Sequence, residues 1–236
     1  SGIEITDLFP HVATVADELC LIRSMHGDHG DHFEATLHMH TGSGGAARPG
    51  MGAWTSFGLG SENTNLPSHV VFAERKPYAG AQVWDSNFLP AYHQGVRLRP
   101  GEEPIPHLNP QKDNPLNLQQ AELAMLKQIN QRHLNSRDDS ELAARMLSFE
   151  TAANLQRLAP DLFDLKDESD KTLALYGAKR GDNRSFGWQT LVARRMAESG
   201  VRFIELVDTG SSGNWDRHSN IKGNGPLAKN SRLLRL

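Results

Sequence analysis

The chain has little cysteine, no long apolar run and almost no net charge. Its single cysteine, Cys20, excludes an internal disulfide framework and a thiolate zinc site. No apolar run approaches the roughly 18 residues of a transmembrane helix, so we predict no membrane span. A net charge of −3 provides no basic face for nucleic acid. Disulfide-rich, membrane-spanning and nucleic-acid-binding proteins are therefore not expected.

Histidine, in contrast, is abundant and clustered. Eleven histidines occur in 236 residues, and the stretch RSMHGDHGDHFEATLHMHTG at 23–42 holds five of them beside two aspartates. The five are His26, His29, His32, His38 and His40. With 38% hydrophobic residues the chain can also bury a sizeable core. The stretch is therefore a metal site, an acid–base site or only a polar loop of a folded protein.

Short apolar runs alternate with helical patterns, which predicts an α/β fold with a mostly parallel sheet and helices on its faces. One strand is expected to end near Ile22–Ser24. Two others are expected over SHVVFAE and VRFIELVD, and the second of these directly follows Gly200. Cys20 lies in the first of these runs, LCLI, so we expect a small buried residue rather than a nucleophile. We treat residues 1–236 as a single domain.

Helices are predicted before, between and after these strands. A helix from residue 11 is expected to lead into the first strand, and the helix over 33–40 to stop at Thr41-Gly42. Another helix opens with Ser136 and Asp139 in capping-box spacing and is expected to end at Pro160. Further helices are expected at 51–60, 114–135 and 185–199. Residues 77–115 hold many prolines and glycines and are predicted to be a loop-rich excursion.

Two loops rich in metal-binding side chains are expected to follow parallel strands. One is the histidine stretch, and the other is TGSSGNWDRHSN, which follows VRFIELVD and contains Asp216 and His218. Loops at the carboxyl ends of parallel strands share one edge of the sheet, so the two loops should converge. Imidazole nitrogens with carboxylate oxygens are ligands for zinc, iron or manganese. The alternative for the second loop is a surface loop with its tryptophan packed beneath it.

The individual side chains also have alternative roles. His32 is expected at a helix N-terminus, which suits a nucleophile or a group facing phosphate or sulfate. Arg23, at a strand end, would pair with the oxygens of such a group or form a structural salt bridge. His26 and His29 are either ligands or solvated loop residues. His38 and His40 are expected to be half-exposed structural residues.

A series of segments carries a resemblance to a known family. In chain order the segments are LCLIRSM, DHFEATLHMHTG, GAWTSFGLGSENTNLPSHVVF, SNFLPAYHQGVRLR, SFETAANLQRLAPDLFDL, LVARRMAESGVRFIELVD and NWDRH. Over nearly the whole chain they resemble the sulfatase-like proteins of domain-of-unknown-function family 1501, in the alkaline phosphatase superfamily. The resemblance implies an alkaline-phosphatase-like fold, with a central mixed sheet, helices on both faces and a metal cluster at one edge.

The resemblance also implies a metal-dependent hydrolase of sulfate or phosphate esters acting on a small-molecule or saccharide ester. Asp216 and His218 match the family's Trp-Asp-x-His and are the implied ligands of a divalent metal, namely zinc, manganese, iron or calcium. His26 and His29 would add a ligand or carry a proton. Where sulfatases have their nucleophile this chain has His32 instead of serine, threonine or cysteine. The departure implies that His32 is a metal ligand or a proton carrier, or that catalysis has been lost. The bound metal would polarise the ester and lower the pKa of water.

Several family features are missing from this sequence. The family has an early aspartate ligand, a later Gly-Glu-Phe-Gly-Arg segment and a terminal Asp-His. We therefore expect part of a longer domain with an incomplete metal site, and a homo-oligomer formed through the surface left exposed. The alternative functions are a non-catalytic metal- or carbohydrate-binding protein and a metal-independent structural fragment. Export signals common in the family imply a periplasmic or extracytoplasmic location.

Overall fold

The computed structural model describes residues 2–7, 9–63, 65–106, 116–135 and 140–208. Its helices and strands, in chain order, are α1 Pro10–Thr14, α2 His32–Thr41, α3 Met51–Leu59, β1 His69–Ala73, β2 Val96–Leu98, α4 Leu116–Asn135, α5 Ser140–Phe163, α6 Asp170–Tyr176, α7 Phe186–Glu198 and β3 Phe203–Val207. Short 3₁₀ turns occupy Ala16–Glu18, Gly80–Trp84 and Ala91–His93. Within these ranges, no helix combines the length and apolarity that crossing a membrane requires.

The three strands form one parallel sheet in the order β2-β1-β3. The central strand β1 is buried along all of its length, as its unbroken apolar run predicts. Val70 pairs with Val96 on one side and with Ile204 on the other. The parallel α/β fold predicted from the sequence is therefore confirmed, including the strands in SHVVFAE and VRFIELVD.

Helices cover both faces of this sheet. Successive strand residues point to opposite faces, so each face presents apolar side chains that a helix can bury. Val70 and Phe72 face a core that includes Trp188 and Leu191 of α7 and residues of α5 and α6. On the opposite face, Val71 belongs to a second apolar cluster. The other buried members of that cluster are Leu37, Ala73, Ala79, Val83 and Trp84. α2 and the Gly80–Trp84 turn therefore lie on one side of the sheet, and α7 lies on the other.

Two helices have side-chain caps at their starts and end at the glycines that the sequence predicts. The Asp31 side chain caps α2 by accepting a hydrogen bond from the Phe33 amide at 2.9 Å, and Gly42 ends the helix with φ +73°. Ser185 caps α7 in the same way through the Trp188 amide at 3.1 Å. After α7 the chain turns at Gly200, with φ +87°, and enters β3. These local signals explain why α2 and α7 have the predicted bounds.

The strand predicted to end near Ile22–Ser24 is not formed. Residues 19–24 form neither a helix nor a strand, and the side chains of Leu21 and Ile22 are 55% and 59% exposed. Cys20 is also exposed, which corrects its predicted burial. This segment forms no ladder with any of the three described strands. Its apolar side chains are therefore not buried in the sheet.

One further prediction, the end of α5, is wrong, and two elements were not predicted. α5 continues through Pro160 to Phe163 instead of ending at the proline. α6 was not predicted, although Ser169 caps it at the Thr172 amide with a 3.0 Å hydrogen bond. The loop-rich excursion at 77–115 contains β2, whose three residues are too few to produce a strand pattern. The proposed capping box at Ser136 and Asp139 lies outside the described residues.

Candidate functional site

The histidine stretch ends in a capped helix, as the sequence predicts. His32 is the first residue of α2, directly after the Asp31 cap. The hydrogen bond from the Phe33 amide, more than the nearby Glu34 and His32 side chains, holds the pKa of the Asp31 carboxyl below its usual range. A negative charge is therefore maintained at the positive end of the helix dipole.

The position of α2 brings its first turn to the carboxyl edge of the sheet. Near the end of the helix, His40 Nδ1 lies 2.7 Å from the Glu205 carboxylate in the middle of β3. One turn earlier, Leu37 belongs to the same apolar cluster as Val207, the last residue of β3. α2 and β3 therefore run in opposite directions. The helix therefore begins, at His32, toward the edge where β3 ends.

The His32 ring is held by an aromatic neighbour. It stacks on Tyr78 with ring centroids 4.3 Å apart and an angle of 9° between the planes. Tyr78 lies in the segment that follows β1, so this contact joins α2 to the carboxyl side of the central strand. Stacking on Tyr78 fixes the plane of the imidazole at the start of α2.

His29 lies close to α2, whereas His26 does not. The His29 ring is so near Gly44 that a Cβ there would lie 2.4 Å from His29 Cδ2, and its centroid is 6.1 Å from that of His38. The His26 side chain is 84% exposed, and its nearest partners are Asp28 and the Ser24 carbonyl. His29 is therefore exposed but packed beside Gly44 and His38, and His26 has the surroundings of a solvated loop residue.

Two residues that the sequence reasoning did not select join this region. Glu34 and His38 are four residues apart on α2, so they share a face of the helix. Glu34 Oε2 and His38 Nδ1 are both buried and both lack a hydrogen-bond partner in the described structure. Buried polar atoms are normally paired, so such atoms fit a missing ligand. The Glu-x₃-His spacing in HFEATLH is the sequence signal that could have identified them.

The remaining predicted site residues do not join this group. Arg23 lies in an exposed turn and not at a strand end, because the strand that would have carried it is not formed. Asp216 and His218 lie outside the described residues, so the predicted meeting of the two loops stays a prediction. Within the part of the chain that is described, no three His, Cys, Asp or Glu side chains are arranged to hold a metal ion.

Comparison with known proteins identifies one match. The model of a family described as "Protein of unknown function (DUF1501)" matches residues 1–230. No curated protein and no solved structure matches the chain. The match covers nearly all of the chain and all of the elements described above. This chain therefore belongs to the DUF1501 family of proteins of unknown function.

Proposed function

We propose that this chain is a metal-dependent hydrolase of sulfate or phosphate esters, of the sulfatase-like type found in the alkaline phosphatase superfamily. The observation that supports the proposal is the position of α2. Its first turn, with His32, is directed to the sheet edge where β3 ends, shortly before Asp216 and His218 in the chain. In open parallel sheets this edge is where ligands bind.

Two buried atoms on α2 support the metal part of this proposal. Glu34 and His38 each have a buried atom without a partner, and the His29 ring lies beside His38. We propose that His29 and His38, with Asp216 and His218, hold zinc, manganese, iron or calcium. A bound ion of this kind supplies Lewis-acid polarisation of an ester and a lowered pKa of water.

The chain's own residues would orient the ester and move protons. The ester anion is favoured near the N-terminus of α2, where amide groups and the helix dipole attract negative charge. His32, held against Tyr78 at the start of α2, would donate a proton to the leaving group. Arg23, in its exposed turn, pairs with the sulfate or phosphate oxygens when substrate arrives.

The alternative is a non-catalytic protein that binds metal or carbohydrate. The observation that favours it is His32 at the position where a hydroxyl or thiol nucleophile would be expected. Under this alternative the same side chains bind a ligand, and no ester is cleaved.

Metal content and turnover distinguish the two functions. Metal in the purified chain is measured by mass spectrometry for the wild type, His38→Ala and Asp216→Ala, with His133→Ala on α4 as the control. The hydrolase proposal expects stoichiometric metal and cleavage of an aryl sulfate or aryl phosphate, both lost in the first two variants only. Metal without turnover of either ester supports the binding protein. No bound metal after incubation with zinc, manganese or calcium contradicts the hydrolase proposal and a metal-binding role, and leaves only carbohydrate binding.

A further inference from the structure

We propose that a second site, a cleft separate from the histidine stretch, binds a neutral saccharide. The cleft lies between α3, the 60–68 loop, residues 91–96 and α5. Its volume is about 680 Å³, within the range of small-molecule sites in proteins.

The lining of the cleft is rich in hydroxyl and amide groups and poor in charge. Eight lining residues carry such groups, namely Ser56, Ser61, Asn63, Ser68, Tyr92, Gln94, Ser148 and Thr151. Among the described residues that line it, none is Asp, Glu, Lys or Arg. Burial lowers the pKa of His93, so this imidazole is neutral at neutral pH. A charged phosphate or sulfate ester would find no counter-charge here, so the cleft selects an uncharged ligand.

A chain of hydrogen bonds forms the floor of the cleft. Ser56 Oγ lies 2.7 Å from His93 Nδ1 and 2.5 Å from Ser68 Oγ. Ser56 and His93 are 1% and 4% exposed, whereas Ser68 is half-buried and forms the outer end of the chain. On the far side of the ring, His93 Nε2 is buried without a hydrogen-bond partner in the described structure. The floor therefore offers a polarised hydroxyl to a ligand and contains a polar atom that is not yet satisfied.

Two aromatic rings flank this floor. Phe57 and Tyr92 are 51% and 42% exposed, and both line the cleft. The His93 ring lies between them, with centroid distances of 5.4 Å to Phe57 and 3.9 Å to Tyr92. A sugar ring has an apolar face that packs on an aromatic ring and a rim of hydroxyls that requires polar partners. Exposed aromatic rings beside an uncharged hydroxyl floor match both requirements.

Ligand-observed saturation-transfer NMR tests this proposal on the full chain. The probes are the methyl glycosides of glucose, galactose, mannose and xylose, each measured separately and in the presence of EDTA. We expect saturation transfer to at least one glycoside, retained in EDTA because the cleft lining offers no metal site. Loss of all binding in EDTA would contradict the proposal and would assign the ligand to the metal site. Failure of the hydrolase proposal would leave this result unchanged.

Variants locate the binding in the cleft. Phe57→Ala removes an exposed ring and is expected to weaken binding on the order of tenfold. Phe88→Ala is the matched control, because Phe88 is also exposed, at 67%, but does not line the cleft. Ser68→Ala breaks the hydrogen-bond chain and should also weaken binding without unfolding the protein. The proposal fails if none of the glycosides binds, or if folded Phe57→Ala and Ser68→Ala bind as well as the wild type.

Discussion

At the scale of single residues, His69 is a buried titratable side chain of the sheet. It is 1% exposed at the start of β1, and neither ring nitrogen makes a hydrogen bond of good geometry in the described structure. Burial lowers its pKa to about 4, while the Glu205 carboxylate and the His93 main chain act in the opposite direction. The imidazole is therefore neutral in the folded protein at neutral pH.

This burial predicts that the protein loses stability in mild acid. The unfolded chain binds a proton on His69 near pH 6.5, and the folded chain only near pH 4, so the unfolded state holds more protons between these values. Stability is then fully present above pH 6.5 and declines as the pH falls toward 4. We expect His69 to account for a loss of about 2 kcal/mol from pH 7 to pH 5.

Urea unfolding at both pH values measures this loss in the wild type and in His69→Asn. The variant should show a smaller difference between the two pH values, whatever its absolute stability. An equal pH dependence in both proteins would show that His69 is not the responsible group.

A glycine on α3 makes room for the same ring. A Cβ on Gly52 would lie 2.3 Å from His69 Nε2, so Gly52→Ala forces the buried ring to move. We expect a destabilisation of about 1–3 kcal/mol in urea unfolding. Gly58→Ala on the same helix is the control, because no atom lies within 4 Å of its Cβ position and alanine favours helix there. If Gly52→Ala were as stable as the wild type, the His69 ring would not be held against Gly52.

At the scale of elements, one arginine of α7 explains why α5 does not end at its proline. Arg195 donates hydrogen bonds to the main-chain oxygens of Asp161 and Asp164, at 2.9 and 2.6 Å. These oxygens belong to the last turn of α5 and the residue after it, where a helix leaves its carbonyls unsatisfied. The positive charge also suits the negative end of the helix dipole. The turn beyond Pro160 is thus stabilised by another helix.

Removing this guanidinium should destabilise the protein. Arg195→Met keeps much of the side chain's apolar stem but leaves both carbonyls without their donors, for an expected cost of about 2 kcal/mol. Arg157→Met serves as the control, because that exposed guanidinium contacts only the Asn154 side chain, at 3.3 Å, among its described hydrogen bonds. Urea midpoints compare the variants, and equal midpoints for the two would contradict the role of Arg195.

At the scale of the whole molecule, the apolar run that fails to join the sheet predicts self-association. Leu21, Ile22 and Met25 are 55%, 59% and 68% exposed within five residues of one another. Large apolar side chains exposed so close together in the chain favour contact with another surface. We expect the chain to form a homo-oligomer that dissociates on dilution.

Light scattering during size-exclusion chromatography tests this expectation. A reductant is included, because exposed Cys20 lies in the same segment and could join two chains covalently. Leu21→Lys combined with Ile22→Lys should lower the apparent mass at high concentration. Leu175→Lys is the control, since Leu175 is 58% exposed on α6, outside this segment. A monomeric wild type at high concentration would contradict the prediction.

The sequence by itself determined the elements whose signals lie within a few residues. Asp31 and Gly42 define α2, the apolar run SHVVF defines β1, and Gly200 separates α7 from β3. The parallel sheet followed from this order, because a helix between strands returns the chain in the same direction. The histidine cluster and its place at a helix start were visible for the same reason.

Only the tertiary structure decided what depends on contacts between distant residues. Ser56 meets His93 across 37 positions, and Arg195 completes a helix more than 30 residues earlier in the chain. LCLI is exposed and pairs with none of the described strands, although its composition is that of a buried strand. Local patterns indicate what a segment can form, whereas burial and pairing depend on which distant segments pack against it. That is why the helices could be predicted and the saccharide cleft could not.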